Sequence, residues 1–312
     1  MRILVWHVHG SWTTSLVQGP HEYLIPVVPG RGPEGRGRAR TWDWPARAIE
    51  VTREDVQDHD VDVVILQRPE ELFDLAETWL GGRRPGRDVP AIYVEHNAPQ
   101  GRIADLCHPA ADRPDITVAH VTHFNALFWD TGAAPTRVIE HGIVDPGYRY
   151  RGDLACAAVA INEPVRRGRV TGTDLLDRFR SVVDVDLFGM DVERLGGVED
   201  PPQSVFHDEL ARRRVYLHPI RWTSLGLTLL EAMHLGMPVV ALSTTEVPEA
   251  VPPEAGVVSN RLDVLDEALT RLIREPEEAR RLGKAGREVA LERYGLDRFL
   301  RDWDRTLEEV AA

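Results

Sequence analysis

HPIRWTSLGLTLLEAMHLGMPVVALSTTEVPEA, residues His218 to Ala250, reads as a turn, a helix and a strand following directly on another strand. The apolar run VYLHP (Val215 to Pro219) ends at a proline, which offers no N–H to a ladder and closes the strand. A polar turn follows and ends in Thr223-Ser224, residue types whose side-chain oxygens cap helix N-termini. From about Gly226 to Leu235 the sequence is helix-forming, and Gly236 and Pro238 stop it. PVVAL (Pro238 to Leu242) is again short, apolar and β-branched. Strand, crossover helix, strand is the repeating unit of a parallel sheet.

The same alternation continues on both sides. In the second half it adds CAAVAI (Cys156 to Ile161), VDLFG (Val185 to Gly189) and GVVS (Gly256 to Ser259). The first half supplies RILVWHV (Arg2 to Val8), EYLIPVV (Glu22 to Val28), DVVILQ (Asp62 to Gln67), PAIYVEH (Pro90 to His96), ITVAHV (Ile116 to Val121) and TRVIEH (Thr136 to His141). Between the first two there is room only for a short helix around Ser11 to Gln18, and the loop from Gly30 to Arg40 lacks periodicity and is expected to be mobile. A break at His141 to Asp153, marked by Gly142, Pro146 and Gly147, separates the two series. The expected fold class is therefore α/β, with two doubly wound parallel-sheet (Rossmann-like) lobes. Their expected bounds are residues 1–145 and 150–292, and a final helix at 293–312 packs back on the N-terminal lobe through Phe299, Trp303 and Leu307.

A chain of 312 residues, 43% hydrophobic, is long enough for two buried sheets. Its net charge of -13 opposes general attraction to nucleic acid or anionic lipid. Cys107 and Cys156 are the only cysteines, too few for a disulfide framework and outside any zinc-like cluster. No apolar stretch has the length of a membrane span, and the first residues lack the pattern of a signal peptide, so a soluble cytoplasmic protein is expected.

Ligands of open parallel sheets bind beyond the carboxyl ends of the strands. Gly10, in the turn after the first strand, would admit a phosphate or a sugar close to the backbone, or simply make a tight turn. Glu231 lies on the mostly apolar helix of the opening stretch and needs a partner there: ribose hydroxyls, an arginine or backbone amides would each serve. His96 ends the fourth apolar run, where a histidine is either structural or part of a site. The pairs His7/His9 and His120/His123 have no third ligand in sequence, and no metal site is expected.

The stretch His218 to Ala250 resembles the signature of the retaining glycosyltransferases of family 4, which have the GT-B architecture and show P-S-x-x-E-G-F-G-x-x-x-x-E-A-M-x-x-G-x-P-V-V. Pro219, Gly226, Leu229, Glu231, Ala232, Met233, Gly236, Pro238, Val239 and Val240 stand in register. The resemblance implies that Glu231 holds the donor ribose, while the family's first glutamate, a sugar contact, falls on Thr223. INEPVRRGRVTGTDLL (Ile161 to Leu176) resembles the segment G-R-x-x-x-x-K-G, whose Arg and Lys hold the donor diphosphate. Asn162 takes the Arg position and Arg167 the Lys position, with Arg166 and Arg169 near enough to compensate; a solvated basic loop is the plainer alternative.

RVIEHGIVDPG resembles the family's step into the interlobe linker, and VPAIYVEHNAP its strand ending in a cleft-facing histidine, which selects His96. By resemblance, then, the chain is a short, divergent, metal-independent glycosyltransferase. It would take a nucleoside-diphosphate sugar as donor substrate in a cleft between the lobes, need no cofactor, and act on an acceptor that the residues do not identify. His96, Arg167 and Glu231 carry the chemistry. Gly10, Asn162, Arg166, Arg167, Thr223, Ser224, Leu225, Gly226, Leu227 and Glu231 bind the donor. A catalytically inactive nucleotide-sugar-binding or partner subunit is the alternative, motivated by Asn162 and Thr223. The segment between Leu176 and Val215 is expected to be shortened by a strand and a helix.

Overall fold

The structure, a computed structural model, describes all residues from Met1 to Ala312. The chain divides into two compact units, Met1–Gly142 with Leu296–Ala312, and Ile143–Gly295. In the first unit seven strands are all parallel: β1 (Arg2–Val5), β2 (Glu22–Pro26), β3 (Ala48–Val51), β4 (Val63–Leu66), β5 (Ala91–Glu95), β6 (Thr117–His120) and β7 (Thr136–Val138), in the order β3-β2-β1-β4-β5-β6-β7. The second unit has β8 (Leu154–Ala160), β9 (Val185–Gly189), β10 (Val198–Glu199), β11 (Arg213–His218), β12 (Val239–Ala241) and β13 (Gly256–Val258), also parallel, in the order β10-β9-β8-β11-β12-β13. Two Rossmann-like sheets are thus present, as the alternating apolar runs imply.

Two strands escape the pattern. β3 is a four-residue edge strand whose Ile49 is exposed and whose Glu50 is charged, so it shows no apolar run; β10 is two exposed residues long. In the segment expected to be shortened, β9, β10 and the helix Gln203–Leu210 are present. Several apolar runs also continue past the strands they mark. Trp6 to Val8, Gln67, His96 and Ile139 to His141 lie beyond the carboxyl ends of β1, β4, β5 and β7.

The loop Gly30 to Arg40, expected to be mobile, is tied down. Arg31 forks onto the carboxylate of Glu50 at 2.7 and 3.1 Å, and Val27 bridges Arg36. The Arg38 guanidinium donates to the carbonyls of Trp44, Pro45 and Ala48. A run of glycine and arginine reads as solvated because the carbonyls and carboxylate that receive it lie elsewhere in sequence.

The helix Leu296–Ala311 belongs to the first unit and buries Phe299, Trp303 and Leu307. Trp303 meets Trp12 edge-on at 5.6 Å between centroids, and His21 reaches Asp304 at 3.1 Å. Each of these buried apolar side chains contributes roughly 1.5–3 kcal/mol. In the second unit, the helix Leu262–Arg274 packs on one face of the sheet through Leu265, Leu269 and Leu272, joined by Ala279 and Leu282 of the helix Pro276–Arg293, whose Ala290 enters the core on the other face.

Candidate functional site

In both sheets the strand order reverses once, between β1 and β4 and between β8 and β11. A crevice at the carboxyl ends of the strands opens at such a point.

In the second unit the two sequence segments singled out above meet there. After β8, the Asn162 side-chain oxygen accepts the N–H of Met190 at 3.0 Å, and Glu163 takes a left-handed backbone (φ 53°) to start the short helix Pro164–Arg167. Asn162 therefore joins the ends of β8 and β9 and brings no charge. The loop then crosses to the end of β11, where Val170 O accepts the N–H groups of Arg221 at 2.8 Å and Trp222 at 3.2 Å. A Cβ on Gly172 would lie 2.0 Å from Pro219 O, so only glycine permits that approach. Arg221 and Arg169 share the carboxylate of Asp174.

The arginines differ in how far they are committed. Arg166 is exposed and ion-paired with Glu163. Arg167 is half-buried, burial followed by the adjacent Arg166 charge pulls its pKa down, and no hydrogen bond or ion pair within the chain neutralises it. An anion is the ligand that relieves a desolvated guanidinium of this kind.

Thr223 and Ser224, expected to cap the following helix, do not. The helix is Leu227–Leu235 and its N-cap position falls on Gly226, beyond both residues. The chain reaches Gly226 in extended conformation directly over the His218 ring: a Cβ there would be 2.6 Å from Cε1. Ser224 is buried, and its carbonyl accepts from Glu246 N at 3.4 Å. Leu225 packs in the apolar core, leaving only its backbone for a ligand, whereas Thr223 and Leu227 are partly exposed.

Glu231 is 3% exposed. The partners supplied by the helix Gln203–Leu210 are Gln203, whose amide donates to Oε2 at 3.3 Å, and His207, 3.5 Å away. Tyr216, below, has a buried hydroxyl without a partner, and its ionisation is pushed up by burial and by Glu231. His218 is also buried with both ring nitrogens unpartnered, and burial pulls its pKa down to about 4. Gln203, His207, Tyr216 and His218 were not singled out from sequence; the spacing of Gln203 and His207, four apart on one helix face, is the one available signal.

In the first unit, Gln67 after β4 donates through its amide to Trp6 O at 2.7 Å and accepts from His96 Nε2 at 3.0 Å. That orientation puts the His96 proton on Nε2 and leaves Nδ1 as the acceptor nitrogen. His96 lies tilted against the His9 ring at 4.1 Å and edge-on to Trp12 at 4.9 Å, and its pKa lies well below 6.5 because of burial, then His9 and His141. His141 is neutral for the same reason, held down to about 3 by burial, then His9 and Arg298. The carboxylate of Glu71 fixes Gln67 from below, accepting its backbone N–H at 2.6 Å while paired with Arg68. Gly10 opens the helix Gly10–Leu16 beside these rings. His96 and Gly10 thus both lie past strand ends of the first unit, and Arg167, Thr223 and Glu231 belong to the other.

Two parallel α/β lobes with these strand orders define the GT-B fold of glycosyltransferases. Residues 197–289 match the family model described as "Glycosyl transferases group 1". No protein of curated function matches the sequence. Among solved structures, sucrose-phosphate synthase from Thermosynechococcus elongatus aligns with a TM-score of 0.74 at 14% identity, over 99% of this chain and 98% of that one. HepE from Anabaena, in complex with UDP-glucose, aligns with a TM-score of 0.68 at 16% identity, over 99% and 100%. TarM of S. aureus gives 0.62 at 14%, over 78% and 55%. No helix of the chain is long and apolar enough to cross a membrane.

Proposed function

We propose that the protein transfers a glycosyl group from a nucleoside-diphosphate sugar to a hydroxyl acceptor, with retention of anomeric configuration and without a metal ion. The observation that carries the reading is the fastening of the loop after β8 to the turn after β11, which gathers the uncompensated Arg167 and the segment Thr223 to Leu227 at one switch point. The match to the group 1 family model includes the second of these segments, and HepE's complex with UDP-glucose makes that donor the first probe.

In this reading the ribose hydroxyls donate to Glu231, and Arg167, with Arg166 beside it, stabilises the charge that grows on the departing diphosphate. Thr223 and the backbone to Leu227 face the sugar, and the neutral His96 orients a hydroxyl of sugar or acceptor. With no carboxylate assigned as nucleophile, the acceptor oxygen forms its bond to the anomeric carbon on the face from which the phosphate oxygen leaves. The acceptor proton passes to the leaving phosphate.

The test is release of nucleoside diphosphate from UDP-, GDP-, dTDP- and ADP-sugars in the presence of EDTA, with the anomer of early product read by proton NMR. One donor should be turned over, giving the retained anomer, and Glu231→Ala should lower the release by about 100-fold. Binding of a nucleotide sugar without any release would favour the inactive subunit, for which Asn162 is the specific observation, since its side chain is engaged by Met190.

A further inference from the structure

Beside the start of the helix Gly10–Leu16, two polar ring atoms converge on the space left by an absent side chain. A Cβ on Gly10 would lie 3.5 Å from Trp42 Nε1 and 3.8 Å from His7 Nε2. The hydrogen-bonding role of each is fixed. His7 Nδ1 lies 3.0 Å from Gly37 O, and a carbonyl only accepts, so Nδ1 carries the proton and Nε2 presents a lone pair. The ring is held by Trp44, 4.8 Å away, whose own indole donates to Thr14 at 2.7 Å. Burial, and to a smaller extent the Arg36 charge, keep His7 neutral. Trp42 Nε1 can only donate; the residue is partly exposed and makes no hydrogen bond within the chain.

One donor and one acceptor within 4 Å of a single point complement a hydroxyl group, which gives one hydrogen bond and takes another. Phosphate oxygens, which chiefly accept, would meet the His7 lone pair; an ammonium would meet the indole N–H. The exposed part of the Trp42 ring adds an apolar face suited to the C–H side of a sugar. The geometry points to a hydroxyl-reading site, made by His7 Nε2, Trp42 Nε1 and the bare backbone of Gly10, for an uncharged sugar or polyol. On the transferase reading this is where the acceptor, rather than the donor diphosphate, meets the first unit; hydroxyl recognition itself does not depend on that reading.

The test uses the full chain with 15N-labelled tryptophan, the Trp42 indole peak being assigned by its loss in Trp42→Phe. Methyl α-D-glucopyranoside, glycerol and inorganic phosphate are titrated separately, without donor. A saturable shift of the Trp42 peak is expected with the glucoside or glycerol, and none with phosphate. Gly10→Ala puts a methyl group at the same point at ordinary contact distances and without a positive φ, so its melting temperature should be unchanged. Its affinity for the polyol should fall by at least about tenfold, the worth of one hydrogen bond and the lost space. An unmoved Trp42 peak with both polyols, a response to phosphate alone, or an unaltered polyol titration in a folded Gly10→Ala would each overturn the site. Because no turnover is measured, failure here is separate from failure of the transferase reading.

Discussion

The two units carry the same strand order around the point where it reverses, and the groups that gather there differ in kind. Beyond β1, β4 and β5 stand His7, Gln67 and His96, two neutral rings and an amide whose roles are fixed by carbonyls and by one another, with the His9 ring against His96. Arg68 and Glu71 lie nearby, but each neutralises the other. Beyond β8 and β11 stand Arg166, Arg167, Arg169 and Arg221 with Glu163 and Asp174, and Glu231 lies one helix away. Topology sets the place at which a ligand can bind; what gathers there differs, arginines with their carboxylates in one unit and neutral rings in the other.

The contrast can be broken most strongly at Glu231. Glu231→Ala should lower turnover of the preferred nucleotide sugar by about 100-fold, the worth of hydrogen bonds to a charged group, as read by diphosphate release. Arg167→Ala should cost about tenfold in the same assay, and Arg166→Ala less than about threefold, because its guanidinium is already held by Glu163 at the surface. Equal losses at the two arginines would remove the distinction between a committed and an uncommitted cation.

The glycines offer a comparison in stability. Gly226→Ala would force a methyl group into the His218 ring and should cost about 1–3 kcal/mol in denaturant unfolding. Gly10→Ala, with nothing closer than 3.5 Å, should be neutral or slightly stabilising.

The smallest effect is with pH. His120 and His141 in the first unit have pKa values pulled down to about 4 and about 3, and His7 and His96 are lowered as well, all mainly by burial; the second unit has His218 and His234. The unfolded chain takes up protons below about 6.5 that the folded chain refuses. Stability is therefore complete above that value and is lost as the pH falls toward 4. Limited proteolysis at pH 5 should cut the first unit before the second, and His120→Phe, which removes two unpartnered nitrogens, should flatten the acid loss of melting temperature.

Much of this was legible in the sequence where the signal is local. The run from His218 to Ala250 marks strand, turn, helix and strand because proline, glycine and β-branched residues act on their own backbone. β3 was not legible, since a four-residue edge strand with an exposed Ile49 and a charged Glu50 has no apolar run, nor was the order of the Gly30 to Arg40 loop, which depends on Glu50 and on distant carbonyls. Glu231 could be seen to need a partner, but Gln203 and His207 come from a helix whose approach is tertiary. Thr223 and Ser224 do not occupy the N-cap position because the helix begins later, with Gly226 at the cap in extended conformation. The neutral crevice of the first unit was hidden for a related reason: its rings sit just past the strand ends, where they read as the last residues of apolar runs.

The most direct test of the central assignment is thermal stabilisation by UDP-glucose and the GDP, dTDP and ADP sugars, on the wild type, Glu231→Ala and Arg167→Ala. At a hundred times its dissociation constant, one nucleotide sugar should stabilise the wild type by about 2.7 kcal/mol; Glu231→Ala should lose nearly all of that response and Arg167→Ala about half of it. A wild type that responds to none of them, or variants that respond as fully as the wild type, would contradict a donor site in the second unit.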